Sequence, residues 1–448
     1  MKRRLIDNAT IVNEGQSFKG CVVIENGRIA EIAADRDSLS APCDETIDAT
    51  GCYLLPGIID DHVHFRDPGL TEKADIFSES RAAAAGGVTS IMDMPNTSPQ
   101  TTTLDALNAK FDLLNEKCIV NHSCYFGATN NNCADLAQLD KRRVCGVKLF
   151  MGSSTGNMLV DRISSLRNIF HGTDMLIAAH CEEQDIIKKN TAKVKELFAG
   201  KDDIPISEHP HIRSAEACYA SSELAVRLAK DANARLHILH ISTAGELELF
   251  SNAPLSEKRI TAEACIPHLL FTDNDYRTFG ARIKCNPAIK TEADRNAIRN
   301  AVKSGLIDVI GTDHAPHLLS DKTGGALKAM SGMPMVQFSL ISMLKLVDET
   351  VFTLETVVEK MCHAPARLFH IEKRGYIRKG YHADLVLVRP TERWTLTDDD
   401  VLSKCGWTPL NGIDFNWKVE KTFANGHLIY SDGVVDDTYR GEELRFND

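Results

Sequence analysis

The sequence predicts an α/β fold: a (β/α)8 TIM barrel joined to a small composite β-sandwich domain formed by both chain ends. The middle of the chain alternates strand-like runs with helical stretches such as "DIFSESRAAAAGG" and "TEADRNAIRNAVKSG". Eight strand-like runs are separated by lengths that suit crossover helices, which is the pattern of a parallel barrel. Both ends consist instead of short strands connected by turns, which is typical of a β domain.

The two chain ends share the pattern of β-hairpins. Near the start, "GCVVIENGRIAEI" carries Asn26-Gly27 between apolar runs, and near the end "VEKTFANGHLIYSDG" carries a second Asn-Gly pair. Asn-Gly favours the tight turns that join antiparallel strands. We therefore predict the N-terminal part of the β-sandwich over residues 1–55, the barrel over 56–367, and the C-terminal part of the β-sandwich over 368–448.

The predicted barrel strands indicate where to look for chemistry, because the active site of such a barrel lies at the C-terminal ends of its strands. In chain order the runs are "YLLPGII", "VTSIMDM", "CIVNHSCYF", "VCGVKLF", "MLIAAH", "RLHILHI", "RITAEA" and "LIDVIGTD". Polar side chains that follow these runs are therefore candidate site residues.

Composition excludes several classes of partner. The 448 residues carry a net charge of -11, which argues against nucleic acid or an anionic membrane surface as a partner. No run approaches the length of apolar sequence that crosses a membrane. The thirteen cysteines show no C-x-x-C spacing, so we predict reduced thiols and a cytoplasmic protein.

The stretch "DDHVHFRDPG" follows the first predicted barrel strand. Alternate residues of a strand point to the same face, so His62, His64 and Arg66 would project together if the strand continued. Two neutral imidazoles on one face form half of a zinc site, and two surface histidines are the simpler alternative. Arg66 would give an acidic protein the local cation that an anionic substrate requires.

Ligand-type side chains follow other strands as well. They are Asn96 after the second strand, Lys148 in the fourth, His180 and His240 at the ends of the fifth and sixth, and Asp313 at the end of the eighth. Their convergence on one rim predicts a metal site. His237 and His240 are three residues apart, so we predict that His240 faces the site and His237 packs outward. His317, beyond Pro316, lies on a loop that can reach back over the site.

Lys148 is an unusual member of this group. An ammonium cannot bind a cation, and burying one beside zinc costs several kcal/mol. The simpler alternative is a lysine that extends outward to solvent. In this position, however, carbon dioxide can add to the neutral amine and give a carbamate, an anion with two oxygens that could bridge two metal ions.

Several motifs resemble, in order, those of the dihydroorotases of the amidohydrolase superfamily. They are "PGIIDDHVHFRDPGLTEKADI", "AAAAGGVTSIMDMPNTSP", "GVKLFM", "LHILHIST", "IKCNPAIKTEADRNAI" and "GTDHAPH", which span essentially the whole chain. The resemblance implies two zinc ions: one bound by His62, His64 and Asp313, the other by His180 and His240, with N6-carboxylated Lys148 as the bridge. Many bacterial members use an aspartate bridge within Asp-Asp-Gly, whereas this chain has "VKLFMGSSTGNMLVD". Asp161 is therefore the alternative bridge.

The resemblance also implies a reaction, the reversible hydrolysis of dihydroorotate to N-carbamoyl-aspartate in pyrimidine synthesis. Asp313 would move the proton, and Arg66 would hold the substrate carboxylate with support from Asn96 and His317. Asn286 in "CNPAI" matches a substrate-binding position of the family, although an Asn-Pro turn explains it equally well. Residues 151–156, "MGSSTG", are either a lid that brings Thr155 onto the substrate or a plain surface loop.

Two other functions stay open from the sequence. A hydantoinase, dihydropyrimidinase or allantoinase would use the same metals on a neutral ring. A non-catalytic relative would only support aspartate transcarbamoylase, but such proteins have lost metal ligands that this chain retains. We expect a small-molecule substrate, a homodimer as the candidate assembly, and an aspartate transcarbamoylase as the candidate protein partner.

Overall fold

The computed structural model describes residues 3–152 and 158–447. The N-terminal segment forms five strands around a central β1. Asn26 and Gly27 both adopt positive φ, at 53° and 75°, so the predicted Asn-Gly hairpin between β2 and β3 is confirmed. The strands are β1 (Arg4–Asn13), β2 (Gln16–Glu25), β3 (Arg28–Ala33), β4 (Glu45–Asp48) and β5 (Tyr53–Pro56).

The middle of the chain contains parallel strands, as the alternating pattern predicts. They are β6 (Ile58–Val63), β7 (Val88–Asp93), β8 (Asn121–Cys124), β9 (Phe126–Gly127), β10 (Val147–Phe150), β11 (Ile177–His180), β12 (Leu236–Ile238), β13 (Ile260–Cys265) and β14 (Val309–Gly311). Strands β6 to β8 form one sheet and β9 to β14 form another, and every pair within them is parallel. Val63 makes a parallel bridge to His314, which brings the far ends of the two sheets together.

Helices connect most of these strands. Their ends follow local capping chemistry. In the helix Glu292–Ser304 the Thr291 hydroxyl accepts a hydrogen bond from the Asp294 N–H, and Gly305, with φ 81°, caps the other end. No helix in the described part of the chain is long and apolar enough to cross a membrane. The helices are α1 (Ile76–Ala85), α2 (Leu104–Lys117), α3 (Ile163–Gly172), α4 (Gln184–Leu197), α5 (His209–Ile212), α6 (Ala215–Ala232), α7 (Ile266–Leu270), α8 (Tyr276–Phe279), α9 (Glu292–Ser304), α10 (Ser339–Asp348), α11 (Leu354–Val358) and α12 (Ala364–Leu368).

The C-terminal strands complete the sheet that the N-terminal strands begin. They are β15 (Leu385–Thr395), β16 (Asp414–Ala424), β17 (His427–Ser431) and β18 (Val434–Val435). Strand β15 pairs antiparallel with β5, so both chain ends contribute to a single nine-stranded sheet. The two ends are therefore combined in one β-rich unit, while the division at residues 55 and 367 stays a prediction.

The run "YLLPGII" is not one barrel strand, which corrects the sequence assignment. Tyr53–Pro56 pairs with β1 and β15 in the terminal sheet, and the parallel strand begins only at Ile58. Gly57 lies between them, and a Cβ at this position would stand 2.2 Å from the Thr89 hydroxyl oxygen. The chain thus changes sheets at a residue where only glycine fits.

Candidate active site

A cavity of about 350 Å³ opens at the C-terminal ends of the parallel strands. It brings together all ten residues that the sequence identified as site candidates. Its lining includes His62, His64, Arg66, Asn96, Lys148, His180, His240, Asn286, Asp313 and His317. Most of these side chains are neighbours because they lie at or beyond the C-terminal ends of parallel strands, which meet at the same rim.

The first group of candidate metal ligands comprises His62, His64 and Asp313. The Asp313 Oδ1 atom lies 3.3 Å from His62 Nε2 and 3.2 Å from His64 Nε2. The remaining ring nitrogens are occupied, since His62 Nδ1 lies 3.0 Å from Glu263 Oε1 and His64 Nδ1 lies 2.7 Å from Asn96 Oδ1. Acceptors at both Nδ1 atoms favour the tautomers that leave each Nε2 lone pair free for a metal ion. These three residues form a candidate metal-binding cluster.

The second group comprises His180 and His240. The Nδ1 atom of His180 lies 2.9 Å from Nε2 of His240, and the opposite nitrogen of His180 lies 3.0 Å from Glu182 Oε2. Glu182 therefore orients His180 as Glu263 orients His62. The His240 ring stands 5.3 Å from the His62 ring, so the two groups are adjacent.

Lys148 lies within β10 and lines the same cavity, with 1% of its surface exposed. Burial lowers the pKa of its amine to about 8, although the charges of Asp313 and Glu263 partly oppose this. Its Nζ lies 4.6 Å from the centre of the Phe150 ring and forms no hydrogen bond or ion pair with residues 3–152 or 158–447. The amine is thus neutral more often than an ordinary lysine amine near neutral pH.

Three site residues adopt left-handed backbone conformations that side chains other than glycine rarely take. The φ angles are 66° at Arg66, 41° at His240 and 47° at Asp313. Strand β6 ends at Val63, so Arg66 enters the cavity from a turn rather than from a continuing strand. Such conformations cost about 1–3 kcal/mol each and persist where the surrounding structure enforces them, which is a recurrent feature of functional sites.

Arg66 and His317 form a polar wall of the same cavity. Arg66 donates from Nε to the Pro316 carbonyl at 3.0 Å, and its Nη2 lies 3.2 Å from His317 Nε2. Trp407 donates from its indole N–H to the His317 carbonyl at 2.8 Å. Burial lowers the pKa of Arg66 to about 10, so the guanidinium stays charged near neutral pH.

Asp313 is the carboxylate that lies close to both histidines of the first group. Burial alone would raise its pKa, but the neighbouring His62 and His64 hold the pKa well below its ordinary value. The ionised form of Asp313 is therefore favoured, as both a metal ligand and a proton acceptor require.

Sequence reasoning missed the residues that support this site. Glu263 and Glu182 orient metal-ligand candidates, Lys322 donates to the Met330 and Gly332 carbonyls, and Trp407 holds the His317 backbone. Glu263 carried one usable signal, a carboxylate inside the apolar run "RITAEA". The hydrogen bonds of Lys322 and Trp407 link distant parts of the chain and leave no local pattern.

Two further predictions from the sequence need correction, and a third concerns a residue outside the described part of the chain. His237 does not pack outward: it is fully buried beside Asp61 and Glu263, with Nδ1 2.8 Å from the Thr261 hydroxyl. Asp161 is exposed and accepts a hydrogen bond from the Asn130 amide, so it is not placed to bridge metals in the cavity. Thr155 lies outside the described residues.

A larger cavity, about 610 Å³, lies between α10 and the terminal sheet. Two of its cations are already engaged, since Arg389 pairs with Glu420 and Lys418 stands 5.0 Å from the centre of the Trp394 ring. The 350 Å³ cavity is the better candidate for the active site because histidines, a carboxylate and cations line it together.

The hydrogen bond between Glu263 and His62 gives a first test of the site. We expect Glu263→Gln to weaken metal binding about 10- to 100-fold, because a carboxylate that fixes a metal-binding histidine also raises its basicity. Metal retention in a chelator titration measures this effect. Glu196→Gln, on an exposed face of α4, is the matched control. Unchanged metal affinity in the Glu263 variant would contradict the assignment.

Comparisons with known proteins show which proteins this chain is similar to. Residues 53–429 match the model of the amidohydrolase family. A dihydroorotase of Methanosphaera stadtmanae is 31% identical over 92% of this chain and 94% of its own length. An allantoinase of Bacillus velezensis is 28% identical over 96% of this chain and 94% of its own length. The solved L-hydantoinase (dihydropyrimidinase) of Arthrobacter aurescens superposes with a TM-score of 0.91 at 27% identity, covering 97% of this chain and 98% of that one.

The chain belongs to the amidohydrolase family, whose model covers most of its length. Within that family its resemblance to the dihydroorotases is confirmed by curated relatives of that name at about 30% identity across nearly the whole chain.

Proposed function

We propose that this protein is a dihydroorotase, which hydrolyses dihydroorotate reversibly to N-carbamoyl-L-aspartate in pyrimidine synthesis. The proposal rests on the position of Arg66. It lies in the cavity beside the candidate metal ligands with 6% of its surface exposed, and it forms no ion pair with the described carboxylates. A buried, unpaired guanidinium is suited to bind a substrate carboxylate in a bidentate manner.

The donor set of the cavity fits the metal centre that the family implies. The Nε2 atoms of His62 and His64 and an oxygen of Asp313 lie within 4.8 Å of one another, and imidazole and carboxylate donors suit zinc. We propose two zinc ions, the second bound by His180 and His240, with N6-carboxylated Lys148 as the bridge. When bound, such ions supply Lewis acidity, which polarises an amide carbonyl and makes water a nucleophile near neutral pH.

The protein's own residues would position the substrate and move the proton. Asp313 accepts a proton from the attacking water and returns it to the leaving ring nitrogen, and it works in reverse during ring closure. Arg66 and His317 hold the substrate carboxylate. Asn96 fixes the His64 ring through Oδ1 and supports the carboxylate through its amide nitrogen, while the Asn286 Oδ1, buried without a hydrogen-bond partner among described residues, is available to a ring N–H.

The finer points of architecture, location and assembly belong to the same proposal. We infer that the parallel strands close into one (β/α)8 barrel, supported by the Val63–His314 bridge, with boundaries at residues 55 and 367. Thirteen free cysteines support a cytoplasmic location. The homodimer and the association with aspartate transcarbamoylase stay predictions.

Substrate comparison tests the proposed function. The zinc-loaded protein should hydrolyse dihydroorotate, and cyclise N-carbamoyl-L-aspartate, with kcat/KM at least about 30-fold above that for dihydrouracil, hydantoin or allantoin. Turnover of the neutral rings as fast as dihydroorotate would favour the second candidate function, that of a hydantoinase-type or allantoinase-type amidase. The similarity to an L-hydantoinase and an allantoinase supports this candidate. Zinc binding without any turnover would favour a non-catalytic partner of aspartate transcarbamoylase.

The proposed bridge gives a second test. We expect Lys148→Ala to lower the zinc content from about two ions to about one per chain, because a bridging anion binds both dications and offsets their repulsion. Metal analysis and dihydroorotate turnover measure the change, and short carboxylic acids should restore part of the activity. Lys188→Ala, at an exposed lysine of α4, is the control. Two retained ions with full activity would exclude the carbamate.

A further inference from the structure

Lys73 lies beside the polar wall that Arg66 and His317 form, although the sequence analysis did not identify it as a site residue. Its Nζ stands 3.3 Å from Nδ1 of His317, on the opposite side of the imidazole ring from Arg66, whose Nη2 stands 3.2 Å from Nε2. The three side chains form a row, Arg66–His317–Lys73, and all three line the cavity. Lys73 is half-buried, whereas Arg66 and His317 are buried.

The hydrogen-bond chemistry of this row leaves one of its two cations without an acceptor on His317. Burial, together with the charges of Arg66 and Lys73, lowers the pKa of His317 to about 2, so its imidazole is neutral. A neutral imidazole has one acceptor nitrogen and one N–H, while guanidinium and ammonium groups only donate. One cation can therefore bond to His317, and the other faces an N–H group.

Carboxylates act on the cations of this row only from a distance, Asp313 on Arg66 and Asp321 on Lys73. Neither Arg66 nor Lys73 forms an ion pair with a carboxylate among residues 3–152 and 158–447, whereas Lys117 and Lys404, which lie nearby, pair with Asp67 and Asp75. The carboxylate nearest the His317 ring is Asp321, 3.9 Å from Nδ1. Two partly desolvated cations flanking one neutral ring are costly alone and favourable around an anion.

Lys73 also differs from the other lysine close to His317. The Lys322 Nζ donates to three backbone carbonyls, those of Lys284, Met330 and Gly332, so it is committed to the loop that covers the cavity. Among the described residues Lys73 has no such carbonyl partner, and its ammonium lies within hydrogen-bond distance of the His317 ring instead. This ammonium is free to move toward a ligand while Arg66 stays fixed by the Pro316 carbonyl.

We propose that Lys73 is a specificity-determining residue, the second cation for the substrate carboxylate, acting with Arg66 from the other side of His317. The inference rests on the proposed function and extends it. Two cations at one subsite favour carboxylated rings over neutral ones, and they favour the dianionic N-carbamoyl-L-aspartate over the monoanionic dihydroorotate. The hydrogen-bond partner of Lys73 is His317 and not a candidate metal ligand or Asp313, so we expect Lys73 to act on binding more than on the chemical step.

Lys73→Met tests the inference with steady-state kinetics on the zinc-loaded full chain. We expect KM for dihydroorotate to rise about 5- to 30-fold, since a half-buried charge-assisted hydrogen bond is weaker than a fully desolvated one, with kcat nearly unchanged. KM for N-carbamoyl-L-aspartate should rise more, and kinetics with dihydrouracil should stay the same. Lys73→Arg should recover most of the affinity, Lys73→Gln little of it, and Lys188→Met should behave as wild type.

The outcomes separate this inference from the proposed function. If the wild type prefers dihydroorotate but Lys73→Met binds it equally well, the role of Lys73 is wrong and the proposed function stands. If the variant loses kcat on dihydrouracil and dihydroorotate alike, Lys73 only supports His317, which also overturns the inference. If the wild type shows no preference for a carboxylated ring, both the proposed function and the inference fail. Zinc content and thermal melting of the Lys73→Gln variant exclude misfolding as the cause of any weaker binding.

Discussion

Asp313→Asn should reduce turnover by about 10²- to 10⁴-fold while the protein stays folded, which is the range for removing a positioned acid–base group. Asparagine keeps the shape of the side chain but cannot accept a proton from water or return one to the ring nitrogen. The Asp313 Oδ1 atom lies within 3.3 Å of both histidines of the first group, so the substitution removes a group at the centre of the site. Initial rates of dihydroorotate hydrolysis and N-carbamoyl-L-aspartate cyclisation measure the effect.

Asp313 is also a candidate metal ligand, so zinc content has to be measured in the same preparations. If the variant retains zinc and loses activity, the proton-transfer role is supported separately from the ligand role. Asp185→Asn, at an exposed aspartate of α4, is the matched control and should leave both quantities unchanged. Near-normal rates in both directions with zinc retained would exclude Asp313 as the proton carrier.

The parallel strands could be predicted because their cause is local. Short runs of apolar and β-branched residues bounded by helical stretches are visible without knowledge of the fold, and each of the eight runs contains a strand. The point where the chain changes sheets is different. In "YLLPGII" the apolar pattern continues without interruption through Gly57, and the break depends on the packing of Thr89, which lies 32 positions further along the chain.

Site residues could be predicted from the sequence where ligand-type side chains stand at the ends of predicted strands. His62, His64, His180, His240 and Asp313 are ligand-type residues at such ends, and all five line one cavity. The residues that orient them could not be identified in the same way, because Glu263 contacts His62 across 201 positions of sequence. The prediction for His237 was wrong for a related reason. Strand β12 ends at Ile238 and His240 has φ 41°, so the side chains of His237 and His240 do not follow the alternation of a regular strand.

The specificity of the site depends on which charges lack partners. Glu182 and Glu263 are both committed to histidines, and Asp313 faces the metal-ligand group. Arg66 is a buried cation of the cavity that has no ion pair with a described carboxylate, so we expect the substrate to supply one. A neutral ring would leave this guanidinium buried and uncompensated, which is costly.

Arg66→Met should therefore impair dihydroorotate hydrolysis and leave the zinc ions in place. Removing a charge-assisted bidentate interaction from a partly desolvated site costs about 2–5 kcal/mol, which corresponds to a factor of roughly 30 to several thousand in kcat/KM. Dihydrouracil, the same ring without the carboxylate, should be a poor substrate already and should scarcely respond. Because methionine tolerates φ 66° no worse than arginine, the substitution removes the charge without adding backbone strain.

Arg66→Lys should recover little activity, because an ammonium cannot reproduce the planar pair of donors and the Pro316 carbonyl would lose its Nε–H partner. Arg227→Met, on the exposed side of α6, controls for the removal of an arginine elsewhere. Equal damage to dihydrouracil and dihydroorotate would make Arg66 a structural residue that holds the Pro316 and His317 loop. The chain would then be a general cyclic amidase, and the carboxylate preference would have to come from another part of the cavity.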